Sequence, residues 1–131
     1  MLITRECDYG VRILRALSKA SIISVQTISS EELIPVQYTY KICRKLSKAG
    51  LITSHRGAMG GYTLSADLDK TTLFDVFQVI DSGLKISDCI QEGRQCLRNP
   101  KDRPCKVHQE FERLQALINN ELMAKPLSVL F

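Results

Sequence analysis

The chain of 131 residues suits one small folded domain, or one domain with an appended helix. Its 44% hydrophobic and 24% charged residues exclude a disordered chain, and its short apolar runs exclude a transmembrane helix. The formal net charge is +4, and the N-terminal residues carry charges where a signal peptide would be apolar. We therefore expect a cytoplasmic protein. Because Trp is absent and aromatic residues are few, we expect its core to consist of Leu, Ile and Val.

Three helices are predicted in the N-terminal part of the chain. Apolar residues recur at helical spacing over 4–19, with Thr4 as the N-cap, and a shorter helix is expected over about 26–33. The third helix lies between Pro35, which suits a first helical turn, and Gly50, which suits a left-handed turn after the last residue. One stripe of this helix is expected to face the core, namely Thr39, Ile42, Cys43, Leu46 and Ala49.

The third helix also carries a polar and basic stripe. No Asp or Glu occurs from Leu33 to Ala66, whereas this segment contains Lys41, Arg44, Lys45, Lys48 and Arg56. Such a segment is typical of a surface that binds a polyanion, although an ordinary solvated basic face is the alternative. Tyr38 and Tyr40 lie near the N-terminal end, where a recognition helix contacts base edges.

A β-hairpin is predicted directly after the third helix. Two short strands, 51–54 and 62–64, flank a turn over 55–61 that contains Arg56 and three glycines. Because glycine adds no side-chain bulk, this turn can approach a phosphate backbone closely, although an ordinary hairpin turn has the same composition. Three helices followed by a hairpin predict a mainly α fold with a small β-hairpin wing, a winged helix-turn-helix.

The remaining chain is predicted to contain a helix over 71–81, an irregular loop over 82–106 and a long helix over 107–124. The long helix has a narrow apolar seam at Val107, Phe111, Leu114, Ile118 and Leu122. We expect the seam to pack against a second copy of the chain; the alternative is that the helix folds back on its own domain. The predicted units are a DNA-binding domain (1–81), a cysteine-bearing loop (82–106), and a dimerisation helix with its tail (107–131).

Several potential metal ligands lie close together in and just after the loop: Cys89, Cys96, Cys105 and His108. Thiolates and imidazole favour zinc or an iron–sulfur cluster, and the loop is too polar to bury three cysteines as packing residues. The gaps are longer than the paired cysteines of a structural zinc ribbon, and redox-active thiols or chance exposed cysteines are the other interpretations. Cys7 and Cys43 lie in helical patterns and are expected in the core.

Along nearly its whole length the sequence resembles the IscR/NsrR/RirA/CymR group of bacterial winged-helix regulators. The resemblance rests on the N-terminal LITRECDYGVRIL, on the IP that opens the third helix, on L-x-KAGLI-x-S-x-RG-x-x-GGY-x-L from Leu46 to Leu64, and on the three-cysteine loop. It implies a homodimeric transcriptional regulator, here expected to be a repressor, that binds a double-stranded DNA operator. The third helix would enter the major groove and the wing would follow the minor groove. The expected DNA contacts are Gln37, Tyr38, Thr39, Lys41, Arg44, Lys45, Lys48, Arg56, Gly60 and Tyr62.

The resemblance also implies an iron–sulfur cluster that senses iron, redox or nitric oxide status. Cys89, Cys96 and Cys105 would supply its thiolates. By similarity to IscR-like members the fourth ligand is His108 on a [2Fe-2S] cluster, and by similarity to NsrR-like members it is Asp8, supplied across the dimer, on a [4Fe-4S] cluster. CymR-like members lack these cysteines.

Two alternatives to cluster sensing follow from the residues. One is a winged-helix regulator whose cysteines bind zinc or act as cluster-free thiol sensors. The more remote one is a small iron–sulfur redox protein. No nucleophile–base pairing, phosphate-binding loop or paired-carboxylate motif indicates an enzyme, and we expect neither a membrane partner nor a small-molecule substrate.

Overall fold

The computed structural model describes residues 2–82 and 84–131. The α-helices and β-strands in these ranges are α1 (Arg5–Leu17), α2 (Val25–Glu31), α3 (Val36–Lys48), β1 (Ile52–His55), β2 (Gly61–Leu64), α4 (Leu73–Ile80) and α5 (Lys106–Met123). Two short 3-10 helices lie at Asp88–Ile90 and Leu127–Val129. The order of three helices and an antiparallel hairpin confirms the predicted winged helix-turn-helix. In the described ranges, no helix combines the length and the apolar character needed to cross a membrane.

The ends of α1 and α3 are fixed by local hydrogen bonds that the sequence predicts. The Thr4 hydroxyl accepts the Cys7 N–H at 3.3 Å, which satisfies one free donor of the first turn and confirms Thr4 as the N-cap. After α3, Gly50 adopts a φ of 79°, and the Leu51 N–H donates to the Leu46 carbonyl at 3.0 Å. This is a Schellman motif, in which a left-handed glycine ends the helix.

One aliphatic core joins α1, α2, α3, α4 and the hairpin. Each fully buried Leu, Ile or Val contributes roughly 1.5–3 kcal/mol relative to exposure. Cys7 and Cys43 are both fully buried, as predicted. The largest side chains of this core are Ile13, Leu14, Leu17, Ile28, Ile34, Ile42, Leu46, Ile52, Val76 and Leu127.

The hairpin is attached to the helical core through the backbone that precedes α2. Strand β1 pairs with β2 in a register that places Ile52 opposite Leu64, and Ile23 forms a further antiparallel bridge to Tyr62. A β-carbon at Gly61 would lie 2.3 Å from the Ile23 carbonyl oxygen. Glycine is therefore required at this position because two backbones meet there.

The C-terminal part returns to the core of its own domain. The Leu127 N–H donates to the Thr71 carbonyl at 2.8 Å, and the Leu127 side chain is fully buried. Helix α5 packs against α4, but its seam is incompletely covered, since Val107 is 59% exposed. Leu117, which lies beside the seam, is 49% exposed. The long helix thus folds back, as the alternative predicted, and still presents apolar side chains to solvent.

Candidate nucleic-acid interface and cysteine loop

The outward face of α3 and the hairpin turn form one candidate DNA-binding surface. The apolar stripe of α3 fixes the orientation of the helix, because Ile42, Cys43 and Leu46 are fully buried. The opposite face is therefore exposed, and it presents most of the predicted contacts together. The exposed residues of this surface are Gln37, Tyr38, Lys41, Arg44, Lys48 and, on the hairpin, Arg56.

Thr39 does not belong to this surface. Its side chain is fully buried, and its hydroxyl donates to the Pro35 carbonyl at 3.3 Å. A side chain with no exposed area cannot reach a base edge, so the prediction that Thr39 reads a base is wrong. Helical spacing explains the result, because Thr39 lies on the stripe that contains Ile42 and Leu46.

Tyr40, which the sequence places with Tyr38 near the N-terminal end of the helix but which is not among the expected DNA contacts, belongs to the exposed face. It is 40% exposed, and its hydroxyl accepts the side-chain amide of Gln26 on α2 at 3.2 Å. It lies three residues after Gln37 and four before Arg44, which places all three on one helical face. The spacing alone could therefore have identified it.

The glycine-rich turn has reasons within the chain for its glycines. A β-carbon at Gly60 would lie 2.7 Å from the His55 carbonyl oxygen, so the turn itself excludes a side chain there. Tyr62 is half-buried against the core, and burial raises the pKa of its phenol. Contacts of Gly60 and Tyr62 with DNA stay predictions. Arg56 is exposed in this turn and carries its positive charge.

A carboxylate from another helix contacts the basic face of α3 in the folded protein. Glu6 on α1 forms ion pairs with Lys41 and with Lys45, whose Nζ lies 3.0 Å from Glu6 Oε2. The hydrogen bond from Lys41 is the largest influence on the Glu6 carboxyl and holds its pKa below the usual value of 4.5. Lys45 Nζ also donates to the Ile80 carbonyl at 2.8 Å. Two of the predicted phosphate contacts are therefore engaged within the protein.

The loop after α4 borders a cavity of about 650 Å³ with several potential ligands on its wall. Cys89, Cys96 and His108 line this cavity, whereas Cys105 lies directly before α5 as its N-cap residue. All three cysteines are half-buried. Within residues 2–82 and 84–131, the structure brings no three Cys, His, Asp or Glu side chains together in ligand geometry.

His108 has the environment of a histidine that is oriented through one ring nitrogen. Its Nε2 lies 3.2 Å from the Glu112 carboxylate one turn later in α5. Its Nδ1 is buried and has no hydrogen-bond partner among the described residues. A carboxylate on one ring nitrogen and an open second nitrogen is the arrangement of many metal-binding histidines.

Asp8 lies on α1 in an ion pair with Arg12, at 2.7 Å. Its side chain is 47% exposed and is not part of the cysteine-lined cavity of the same chain. An exposed carboxylate can be offered to a second chain. A role of Asp8 as a ligand across a dimer stays a prediction, and within this chain Asp8 pairs with Arg12.

A buried glutamine holds the start of the cysteine loop against α5. Gln115 is 6% exposed, and its Oε1 accepts the Ile86 N–H at 2.8 Å. Its Nε2 donates to the Leu84 carbonyl at 3.4 Å and to Asn119 Oδ1 at 2.9 Å. Sequence reasoning missed this residue, because a glutamine within a helix carries no signal of burial.

Comparison with known proteins places this arrangement among transcription factors. A family model described as Rrf2, iron-dependent transcriptional regulator, matches residues 3–131. An HTH-type transcriptional regulator of Aquifex aeolicus is 30% identical over 105 residues, which cover 80% of this chain and 72% of that protein. IscR of Vibrio vulnificus is 33% identical over 85 residues, which cover 61% of this chain and 51% of IscR. The solved structure of CymR, the global cysteine regulator of B. subtilis, matches with a TM-score of 0.75 and 23% identity, covering 98% of this chain and 94% of CymR.

A winged helix-turn-helix with an exposed, basic third helix defines a DNA-binding regulator. The chain belongs to the Rrf2 family of transcriptional regulators, whose model matches it almost from end to end. The resemblance to the IscR/NsrR/RirA/CymR group is thereby confirmed. The family consists of DNA-binding transcriptional regulators and not of enzymes, which agrees with the absence of catalytic motifs in the sequence.

Proposed function

We propose that the protein is a homodimeric, sequence-specific repressor whose operator affinity is set by an iron–sulfur cluster that responds to iron, redox or nitric oxide status. The observation that carries the sensing part is the loop cavity, which is lined by Cys89, Cys96 and His108. The buried Nδ1 of His108 has no hydrogen-bond partner among the described residues. Soft thiolate sulfur with imidazole nitrogen is a donor set that suits iron–sulfur clusters. The set fits such a cluster chemically.

In this proposal α3 reads the major groove while the hairpin contacts the backbone. Gln37 and Tyr38 are exposed at the N-terminal end of α3 and supply base contacts. Arg44, Lys48 and Arg56 are exposed cations that supply phosphate contacts. The exposed apolar side chains of α5 support pairing with a second chain, since a dimer doubles the DNA-reading surface and matches a palindromic operator.

Cys89, Cys96 and Cys105 would hold the cluster, with His108 or the partner's Asp8 as fourth ligand. When bound, the cluster would supply a group that is lost or changed by oxidants and nitric oxide. Glu112 orients the His108 ring, and the Ser87 hydroxyl donates to Cys89 Sγ at 3.2 Å. Gln115 holds the start of the loop, so a change in the loop is transmitted to α5.

A thiol sensor without a cluster is the second candidate function. It is favoured by the partial exposure of all three loop cysteines and by the contact of Ser87 with Cys89. Zinc binding by the same residues is a variant of this candidate. Both would leave the DNA-binding surface unchanged and would differ from a cluster protein in their metal content and colour.

The deciding experiment is anaerobic purification followed by visible absorption and by iron, zinc and acid-labile sulfide determination per chain. The proposal predicts a brown protein with matching iron and sulfide, and alanine substitution of Cys89, Cys96 or Cys105 should each abolish the colour. Cys43→Ala is the matched control, since Cys43 is fully buried on α3 and should keep full absorbance. A colourless protein that cannot be reconstituted, or full absorbance in all three loop variants, would refute cluster binding by these residues.

A further inference from the structure

A carboxylate from α1 lies among the cations of the DNA-binding helix. Glu6 Oε1 accepts from Lys41 Nζ, and Glu6 Oε2 accepts from Lys45 Nζ at 3.0 Å. Lys41 is 54% exposed at its side chain, whereas Glu6 is 24% exposed. The contact joins two elements that the sequence separates by 35 positions, so it could not be seen in the charge pattern of α3.

We propose that Glu6 competes with DNA phosphates for Lys41. By holding Lys41 on the protein, Glu6 weakens sequence-independent DNA binding. The inference rests on the proposed DNA-binding function of α3. A phosphate oxygen and the Glu6 carboxylate use the same ammonium donors of Lys41, so one contact is made at the expense of the other. Because phosphate contacts carry no sequence information, this competition sets the electrostatic part of the DNA affinity and its salt dependence.

The two lysines differ in how firmly the protein holds them. Lys45 Nζ donates to the carbonyl of Ile80 at 2.8 Å as well as to Glu6, and this carbonyl lies at the C-terminal end of α4, where the helix dipole favours a cation. Loss of the Glu6 carboxylate therefore leaves Lys45 attached to α4. Lys41 is the cation that is released, and the expected gain is about one phosphate contact.

The experiment measures DNA affinity against salt for a random-sequence duplex of about 30 base pairs, using fluorescence anisotropy between about 50 and about 200 mM KCl. Glu6→Gln should steepen the slope of log K against log salt by about 0.9, the value for one added phosphate contact. The affinity advantage of the variant should then fall about 3.5-fold across that salt range. Adding Lys41→Gln to Glu6→Gln should remove the gain.

The matched control is Glu110→Gln, which changes the net charge equally but breaks an exposed ion pair with Arg113 on α5. An equal gain in this control would overturn the inference, because net charge alone would then explain the effect. An unchanged slope in a folded Glu6→Gln variant would overturn it as well.

Lys41→Gln in the native background gives a test that does not depend on the Glu6 variant. The inference predicts that the salt slope changes by less than about 0.45, half the value for one phosphate contact. A loss of a full 0.9 or so would contradict it, because Lys41 would then already bind phosphate in the native protein. Failure of the native protein to bind DNA even at low salt would instead refute the proposed function itself.

Discussion

Gln115→Leu should release the start of the cysteine loop from α5. The substitution nearly preserves side-chain volume but leaves the Ile86 N–H without its acceptor at 2.8 Å and the Leu84 carbonyl without its donor at 3.4 Å. Gln115 is 6% exposed, so water does not readily replace the lost partner. An unsatisfied buried group costs about 1–3 kcal/mol, and added apolar burial returns part of this, so we expect a loss of about 1–2 kcal/mol in unfolding free energy.

Urea unfolding at fixed protein concentration measures this loss, and hydrogen exchange of the Ile86 amide tests its stated cause. The Ile86 amide should exchange faster in the variant, and Cys89, three residues later, should be alkylated faster in cluster-free protein. Asn119→Ala is the matched control, since it removes one partner of Gln115 but leaves both contacts with the loop. Native stability together with unchanged exchange at Ile86 would refute the assignment of Gln115 as the residue that holds the loop.

Three further predictions concern the DNA-binding half. Arg56→Ala should weaken binding to most sequences and reduce the salt slope by about 0.9, because an exposed phosphate contact is lost; unchanged affinity would remove the hairpin turn from the DNA-binding surface. Leu33 has a φ of 55° and is 82% exposed, so Leu33→Gly should raise the unfolding free energy by about 0.5–1 kcal/mol in urea titrations, and a loss of stability would contradict this. Burial raises the pKa of Cys43 to about 12 from 9.0, so folding favours its protonated form. Its contribution to stability is complete below pH 9 and is lost as the pH rises toward 12; Cys43→Ala should show a shallower decline in the same range, and an equal decline would contradict this.

The order of elements could be predicted from the sequence because each element carries its own local signal. Thr4 caps α1, and Gly50 ends α3 in the left-handed conformation, as expected from residue type alone. Four of the five residues of the predicted core stripe of α3 are buried, namely Thr39, Ile42, Cys43 and Leu46. The prediction for Ala49 is wrong, because this residue lies at the exposed C-terminal end of the helix. A DNA contact by Thr39 conflicts with its position in the helix, since Thr39 lies on the same buried stripe as Ile42 and Leu46.

What the sequence could not show are contacts between residues far apart in the chain. The segment from Leu33 to Ala66 contains no acid, yet Glu6 reaches its lysines from α1. Gln115 is a polar residue on a largely exposed helix, and its burial depends on the path of the loop, whose Ile86 N–H it accepts. The docking of Leu127 beside Thr71 likewise depends on the return of the chain after α5. Periodicity describes one helix at a time and contains no information on these pairings.

The glycines of the hairpin illustrate a correct motif with an additional cause. The sequence suggests that they allow close approach to a phosphate backbone. The structure gives Gly60 and Gly61 steric requirements within the chain, since β-carbons there would meet carbonyl oxygens of His55 and Ile23. The turn therefore needs these glycines for folding, whether or not DNA is bound.

The central claim is that the state of the cysteine loop sets the affinity of the α3 surface for its operator. It is tested most directly by measuring the affinity of one anaerobic preparation for a duplex selected from a random pool, before and after cluster removal with a chelator or nitric oxide. We expect the operator affinity to change by about tenfold or more as the visible absorbance is lost, the magnitude typical of coupling between two sites. Equal affinities, within about twofold, in the cluster-bearing and cluster-free protein would contradict it.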